Sequence, residues 1–166
     1  MNPNEKVSIL LCCMGNICRS PTAEGVLRDR LHQAGLADRV HLDSAGTHDY
    51  HVGKAPDVRA QAAARQRGYD LSSLRARQVT RQDFQDFDLV LAMDTDNLQS
   101  LVRICPDDAR QKVRRFLSFS TRYHDQDVPD PYYGSGDGFE RVLDMVEDAV
   151  AGLIEAVHKG NIRTGG

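Results

Sequence analysis

The sequence has no excess charge of one sign, no long apolar run and few cysteines, and each shortage removes a class of function. Its 166 residues carry a formal net charge of -3. That balance gives no reason to expect nucleic acid or an anionic membrane as the main partner. The basic run "RQKVRR" at 110–115 then reads as a solvated face. The apolar stretch near the start is interrupted at Gly15 and has no basic segment before it. It is too short for a signal peptide or membrane span, so the expected location is cytoplasmic, with no membrane insertion. In that reducing compartment the four cysteines are expected as thiols rather than as a disulfide framework. A zinc site also fits badly, because Cys105 has no companion cluster and structural zinc requires four paired ligands. No internal repeat, low-complexity tract or linker interrupts the chain. With 40% hydrophobic and 27% charged residues, it has material for one well-cored domain over 1–166, frayed at about 1–5 and 159–166.

What is present is an alternation of strand and helix patterns. "KVSILLC" at 6–12 is β-branched and apolar and runs into a Gly-containing loop and then Ser-Pro. Ser20 is expected as a helix N-cap and Pro21 as the first helical residue, with Ala23, Leu27, Leu31 and Ala34 on one face and an end at Gly35. Strands are expected over 39–44, 88–93 and, more weakly, in "VRRFLSF" at 113–119. Helices are expected over about 56–67, briefly at 80–84 with Thr80 and Asp83 as a capping pair, and after a cap at Asp94. The clearest periodicity is in the last helix, where Phe139, Val142, Leu143, Val146, Val150, Leu153, Ile154 and Val157 share a face, and Asp137 and Glu140 have capping-box spacing. Such alternation predicts an α/β fold, a parallel sheet with helices on both faces, and ligands bound at the carboxyl ends of the strands.

The chemistry concentrates in "LLCCMGNICRSP" at 10–21. A loop between a strand and a helix start offers unpaired N–H groups with the positive end of the helix dipole behind them, which together cradle an anion. Gly15 allows positive φ or close approach, and Asn16 tolerates the left-handed region. Arg19 adds a fork for two phosphoryl oxygens. Cys13, at the loop's start, would face the central atom of a tetrahedral anion as a thiolate. Cys12, the last strand residue, reads as core packing. In "DVPDPYYGSGDG" at 127–138, Asp130 lies between two prolines that restrict its backbone. On its own that carboxylate reads as a turn residue.

"CMGNICRSP" together with the downstream "DPYYG" resembles the low-molecular-weight protein tyrosine phosphatase family, and the similarity extends over about residues 6–158. The resemblance implies a four-stranded parallel sheet with the phosphate-binding loop after its first strand. It implies Cys13 as nucleophile, Arg19 as phosphate clamp and Asp130 as general acid and then base. The loop residues Met14, Gly15, Asn16, Ile17 and Cys18 would surround the phosphate, with Met14 at the rim and Asn16 holding the loop's shape. Ser20 would donate to the thiolate, and Asp94 would support the site as well as cap a helix. Tyr50, Tyr132 and Tyr133 would wall a slot deep enough to favour phosphotyrosine. Cys18 would form a reversible disulfide with Cys13, shielding it from irreversible oxidation. No cofactor or metal is implied. The partner would be a phosphotyrosine-containing protein, the product inorganic phosphate, and the enzyme a monomer. Animal members carry a histidine before "ARQVT" that supports the loop asparagine; here Ser72 or Ser73 is expected to replace it. A thiol-dependent arsenate reductase is the nearest rival, but it needs two further cysteines where only Cys105 is available. A catalytically silent phosphotyrosine-binding module is the other.

Overall fold

The computed structural model describes residues 6–132, 137–160 and 162. Four strands, β1 (Val7–Cys13), β2 (Val40–Gly46), β3 (Leu89–Ala92) and β4 (Val113–Arg115), form one parallel sheet in the order β2-β1-β3-β4. Among the described residues five α-helices connect or follow them: α1 (Arg19–Gln33), α2 (Val58–Gln66), α3 (Asp83–Asp86), α4 (Thr95–Ile104) and α5 (Gly138–Lys159). The alternation of β1 divides the core in two. Ile9, Leu11 and Cys13 face a large apolar cluster with Val26 and Leu27 of α1 and Val146 and Val150 of α5. Leu10 and Cys12 face a second cluster with Phe84 of α3 and Leu101 of α4. The helices therefore cover both faces, as expected for a single α/β domain. Cys12 belongs to the packing, and burial pushes its thiol pKa well above the ordinary range.

Several local expectations are corrected. α1 starts at Arg19 with Cys18 at the N-cap, so Ser20 is the second helical residue and Pro21 the third. Pro21 is still inside the first turn, where no intrahelical bond is lost. Ala34 is the exposed C-cap rather than a core residue, and Val26 is buried in the helix interior. The helix is closed by Leu36 N–H donating to Leu31 O at 2.8 Å and Gly35 N–H to His32 O at 3.1 Å. "VRRFLSF" is a strand for only three residues, because Phe116 and Leu117 both turn into the α1 and α5 cluster. A strand would send consecutive side chains to opposite faces. The capping box of α5 does not form: the Asp137 side chain makes no cap bond, and Glu140 pairs with Arg67 at 2.9 Å. α5 runs through Lys159 and is followed by a buried Ile162, within the stretch expected to fray. The cap at Asp94 and the Thr80 and Asp83 pair are present, with Thr80 N–H donating to Asp83 Oδ2 at 2.8 Å.

Candidate active site

The carboxyl end of β1 opens into a cleft with about 450 Å³ of empty space including its mouth. Cys13, Met14, Gly15, Ile17, Cys18 and Arg19 line it from the loop side, and Tyr50, His51, Asp130 and Tyr132 from above. Cys13 is the last residue of β1 and is 3% exposed. Gly46 of β2 is its register partner, and on the other side the pairing with β3 ends one residue earlier, at Cys12 with Ala92. Two groups address its sulfur: the Ser20 hydroxyl at 3.0 Å and the Asn16 N–H at 3.3 Å. Because Ser20 is inside the helix, its hydroxyl is not spent on capping.

The sense of the Ser20 bond follows from its neighbours. Arg77 N–H can only donate, so Asn16 Oδ1, at 3.1 Å, is its acceptor and the Asn16 amide orientation is set. The two Asn16 N–H bonds then go to Ser20 Oγ at 2.8 Å and Ser44 Oγ at 2.9 Å. Ser44 passes its hydrogen to Glu24 Oε1 at 2.6 Å. Having accepted from Asn16, Ser20 has its own hydrogen to donate to the sulfur. All of Asn16, Ser20, Ser44 and Glu24 are buried, so none of these bonds has water as an easy substitute. Asn16 holds φ at +59°, the one positive value among the described non-glycine residues. Gly15 serves close approach instead: a Cβ there would lie 2.8 Å from His51 Cδ2.

Support for the asparagine thus comes from Ser44, Glu24 and the Arg77 backbone. Ser72 and Ser73, expected in that role, are exposed, and Ser72 N–H is turned toward Asp70 at 2.9 Å. Sequence reading missed Ser44 and Glu24 because only the pairing of β1 with β2 and the burial of α1 bring them under the loop.

Arg19 is 2% exposed yet charged. Its Nη1 donates to Asp94 Oδ2 at 2.6 Å and to Val128 O at 2.9 Å, and Nη2 lies 3.8 Å from Asp130 Oδ2. Burial opposes its charge, but Cys13, Asp94 and Asp130 more than offset that and raise its pKa. Asp94 does two jobs, since its other oxygen caps α4 by accepting from Asn97 N–H at 2.7 Å. The segment carrying Asp130 is pinned through Val128, whose N–H donates to Met93 O at 2.9 Å just beyond β3. Asp130 also accepts from Tyr132 N–H with Oδ1 at 3.0 Å, a turn contact made while Oδ2 faces Arg19.

Tyr50 is stacked on His48 with ring centroids 5.1 Å apart and is 67% exposed, while Tyr132 is tilted against His51 at 6.1 Å. Met14 is at the rim, 37% exposed. Tyr133 lies outside the described residues. His51 was not anticipated. Cys18 is buried, and its thiol is pushed up to about 12 by burial first and then by Asp57, Cys13 and Asp130. Cys105 donates to Pro106 O at 3.3 Å and lines no part of the cleft. Among the described residues no group of three or more His, Cys, Asp or Glu could hold a metal ion, and no helix is long and apolar enough to cross a membrane.

The class this defines is a parallel α/β protein with a buried thiol set in a strand-to-helix loop at the carboxyl edge of its sheet. Residues 8–162 match the sequence profile of the low molecular weight phosphotyrosine protein phosphatases. The low molecular weight protein-tyrosine-phosphatase of Streptomyces coelicolor is 44% identical over 154 residues, 91% of this chain and 93% of that one. The crystal structure of a protein tyrosine phosphatase from Entamoeba histolytica with Hepes in its active site superposes with a TM-score of 0.89 at 41% identity, covering 93% of this chain and 99% of that one. YfkJ from Bacillus subtilis superposes at 0.88 with 35% identity, covering 94% and 97%. The chain belongs to the low molecular weight phosphotyrosine protein phosphatase family and is a protein-tyrosine-phosphatase, a hydrolase.

Proposed function

We propose that the protein hydrolyses phosphotyrosine through a phosphocysteine on Cys13. The supporting observation is the convergence on one cleft of a doubly hydrogen-bonded Cys13 sulfur, a buried charged Arg19 and, on the facing segment, Asp130. The Cys13 sulfur attacks phosphorus as the tyrosyl oxygen leaves with a proton from Asp130. Phenol has a pKa of about 10, so unassisted departure near neutral pH is unfavourable. Water then attacks the phosphocysteine, Asp130 takes its proton, and inorganic phosphate leaves with Cys13 restored. Arg19 and the N–H groups of residues 14–19 neutralise the equatorial oxygens throughout. The charge of the phosphoryl group is met by these groups, and no step calls for a metal or cofactor. Ser20 stabilises the thiolate both as attacker and as leaving group.

Tyr50, Tyr132 and Met14 would meet the aromatic ring, and the depth of Cys13 below them disfavours the shorter phosphoserine. The substrate is then a tyrosine-phosphorylated protein, met by a monomer in the cytoplasm, where four free thiols are in keeping with a reducing medium. The test is turnover of phosphotyrosine, phosphoserine and arsenate without added metal by wild type and Cys13→Ser. Phosphotyrosine hydrolysis that is lost in Cys13→Ser is the expected result. Binding without hydrolysis in wild type, or thiol-dependent arsenate reduction, overturns it.

A further inference from the structure

Arg59, in the first turn of α2, does not line the cleft. It nevertheless closes a connection between the two halves of the site. Asp57 N–H donates to Ile17 O in the cradle loop at 2.8 Å, so the start of α2 is tied directly to that loop. The Asp57 carboxylate caps α2 by accepting Arg59 N–H at 2.8 Å, and it also grips the Arg59 side chain with both oxygens, at 3.0 Å from Nε and 3.0 Å from Nη2. Held in this fork, Nη2 also donates to Tyr132 O at 3.2 Å. The guanidinium carbon sits 5.5 Å from the centre of the Tyr132 ring and 5.0 Å from that of Phe139 at the start of α5. Tyr132, in turn, gives its N–H to Asp130 Oδ1 at 3.0 Å. A continuous path thus runs from the cradle through Asp57, Arg59 and Tyr132 to the carboxylate opposite Cys13.

We propose that Arg59 is a positioning residue that sets the reach of Asp130 over the cradle. The inference rests on the acid role of Asp130 given above. Several features favour positioning over a merely stabilising surface pair. The Arg59 side chain is 47% exposed, and an isolated pair at that exposure contributes little to stability. Yet its planar fork is used on three groups at once, and two of them belong to segments far away in sequence. Arg19 cannot do the same work alone, because its contact with Asp130 is a loose 3.8 Å and its short bonds go to Asp94 and Val128. Without Arg59, residues 129–132 keep their tie at Val128 and the ring contact of Tyr132 with His51 but lose the hydrogen-bonded path through Asp57 to the cradle loop. Asp130 would then sample positions in which its proton misses the leaving oxygen, while the cradle still binds phosphate.

The test is kcat/KM, which covers the steps through departure of the aryl oxygen and leaves out the later hydrolysis of the phosphocysteine, for phenyl phosphate, a poor leaving group, and p-nitrophenyl phosphate, a good one, in wild type, Arg59→Ala, Asp130→Ala and the double variant. A general acid contributes about 10²- to 10⁴-fold, so partial misplacement is expected to lower kcat/KM for phenyl phosphate about tenfold. The kcat/KM of p-nitrophenyl phosphate and inhibition by inorganic phosphate are expected to change less than about threefold. In the Asp130→Ala background, Arg59→Ala is expected to have no further effect on phenyl phosphate, a signature that loss of stability alone would not produce. Arg59→Gln, which keeps hydrogen bonding but not the fork, is the second variant should Arg59→Ala not fold. An equal loss for both leaving groups, or a loss that persists without Asp130, overturns the proposal and leaves the acid assignment standing. If Asp130→Ala itself shows no leaving-group dependence, the acid assignment falls and the positioning role with it.

Discussion

Replacing Gly46 by alanine tests whether the cradle's position is set by direct contact with β2. A Cβ at this position would lie 2.8 Å from Met14 O, 3.1 Å from His48 O and 3.2 Å from Gly15 C. All three are backbone atoms, so no side chain can swing aside. Nor is the backbone loose, since Thr47 N–H donates to Cys13 O at 2.9 Å and His48 N–H to Met14 O at 3.0 Å. To reach an ordinary contact of 3.4 Å, the Met14 and Gly15 segment has to move by about 0.6 Å. Overpacking of this kind costs about 1–3 kcal/mol, and about 2 kcal/mol in a chain this long lowers Tm by about 4–8 °C. The catalytic effect is expected to be larger in proportion, because a 1 Å misplacement of reacting groups costs about 10²-fold, so about tenfold in kcat/KM is expected here. The assay is kcat/KM on p-nitrophenyl phosphate together with the inhibition constant of inorganic phosphate, both at a temperature well below the variant's Tm. A folded Gly46→Ala protein with wild-type kcat/KM and wild-type phosphate affinity would refute the reasoning.

Three further outcomes concern Cys18 and Asp148. If Cys18 captures the oxidised nucleophile, peroxide inactivation is expected to be reversed by dithiol in wild type and much less so in Cys18→Ser; equal recovery removes the disulfide role. Since the Cys18 thiol is pushed up to about 12, the rate of disulfide closure is also expected to rise with pH through neutrality. The Asp148 carboxylate accepts the Ser120 hydroxyl and the N–H groups of Thr121 at 2.9 Å and Arg122 at 3.1 Å, bonds that lower its pKa. Its stabilising effect is therefore complete above the unfolded carboxylate pKa and is lost as pH falls through the lower folded one, below about pH 4. Asp148→Asn is expected to reduce the unfolding free energy by about 1 kcal/mol at pH 7, with the gap to wild type closing toward pH 2. A gap that is constant from pH 7 to pH 2 would count against this.

The parts of the site that were legible in the sequence are those whose meaning is local. Cys13, the loop and Arg19 are contiguous, and the strand-to-helix transition around them is written in the apolar run and the Ser-Pro pair. The Ser-Pro pair, the usual start signal, points to a helix beginning two residues late, because here Ser20 is diverted to the sulfur. The supports were not legible, because their partners come together only through tertiary structure. Ser44 reads as an ordinary strand residue until the pairing of Leu11 with Ser44 brings it beneath Asn16, and Glu24 reads as part of a solvated helix face until α1 packs. Glu140 shows the converse. Its capping spacing is correct, but Arg67 from another helix takes its carboxylate.

The placement of Cys13 on an inner strand has a consequence for how such an enzyme can diverge. The Cys13 sulfur is held by pairing with β2, by the doubly paired Cys12 just before it and by a buried bond from α1, so nearly any change there disturbs the core. Tyr50, His51 and Tyr132 sit on connecting segments, and Tyr50 is mostly exposed. Substitutions there can alter what enters the cleft at small cost to folding, so substrate choice is free to drift while the reacting centre is kept constant by the requirements of the sheet.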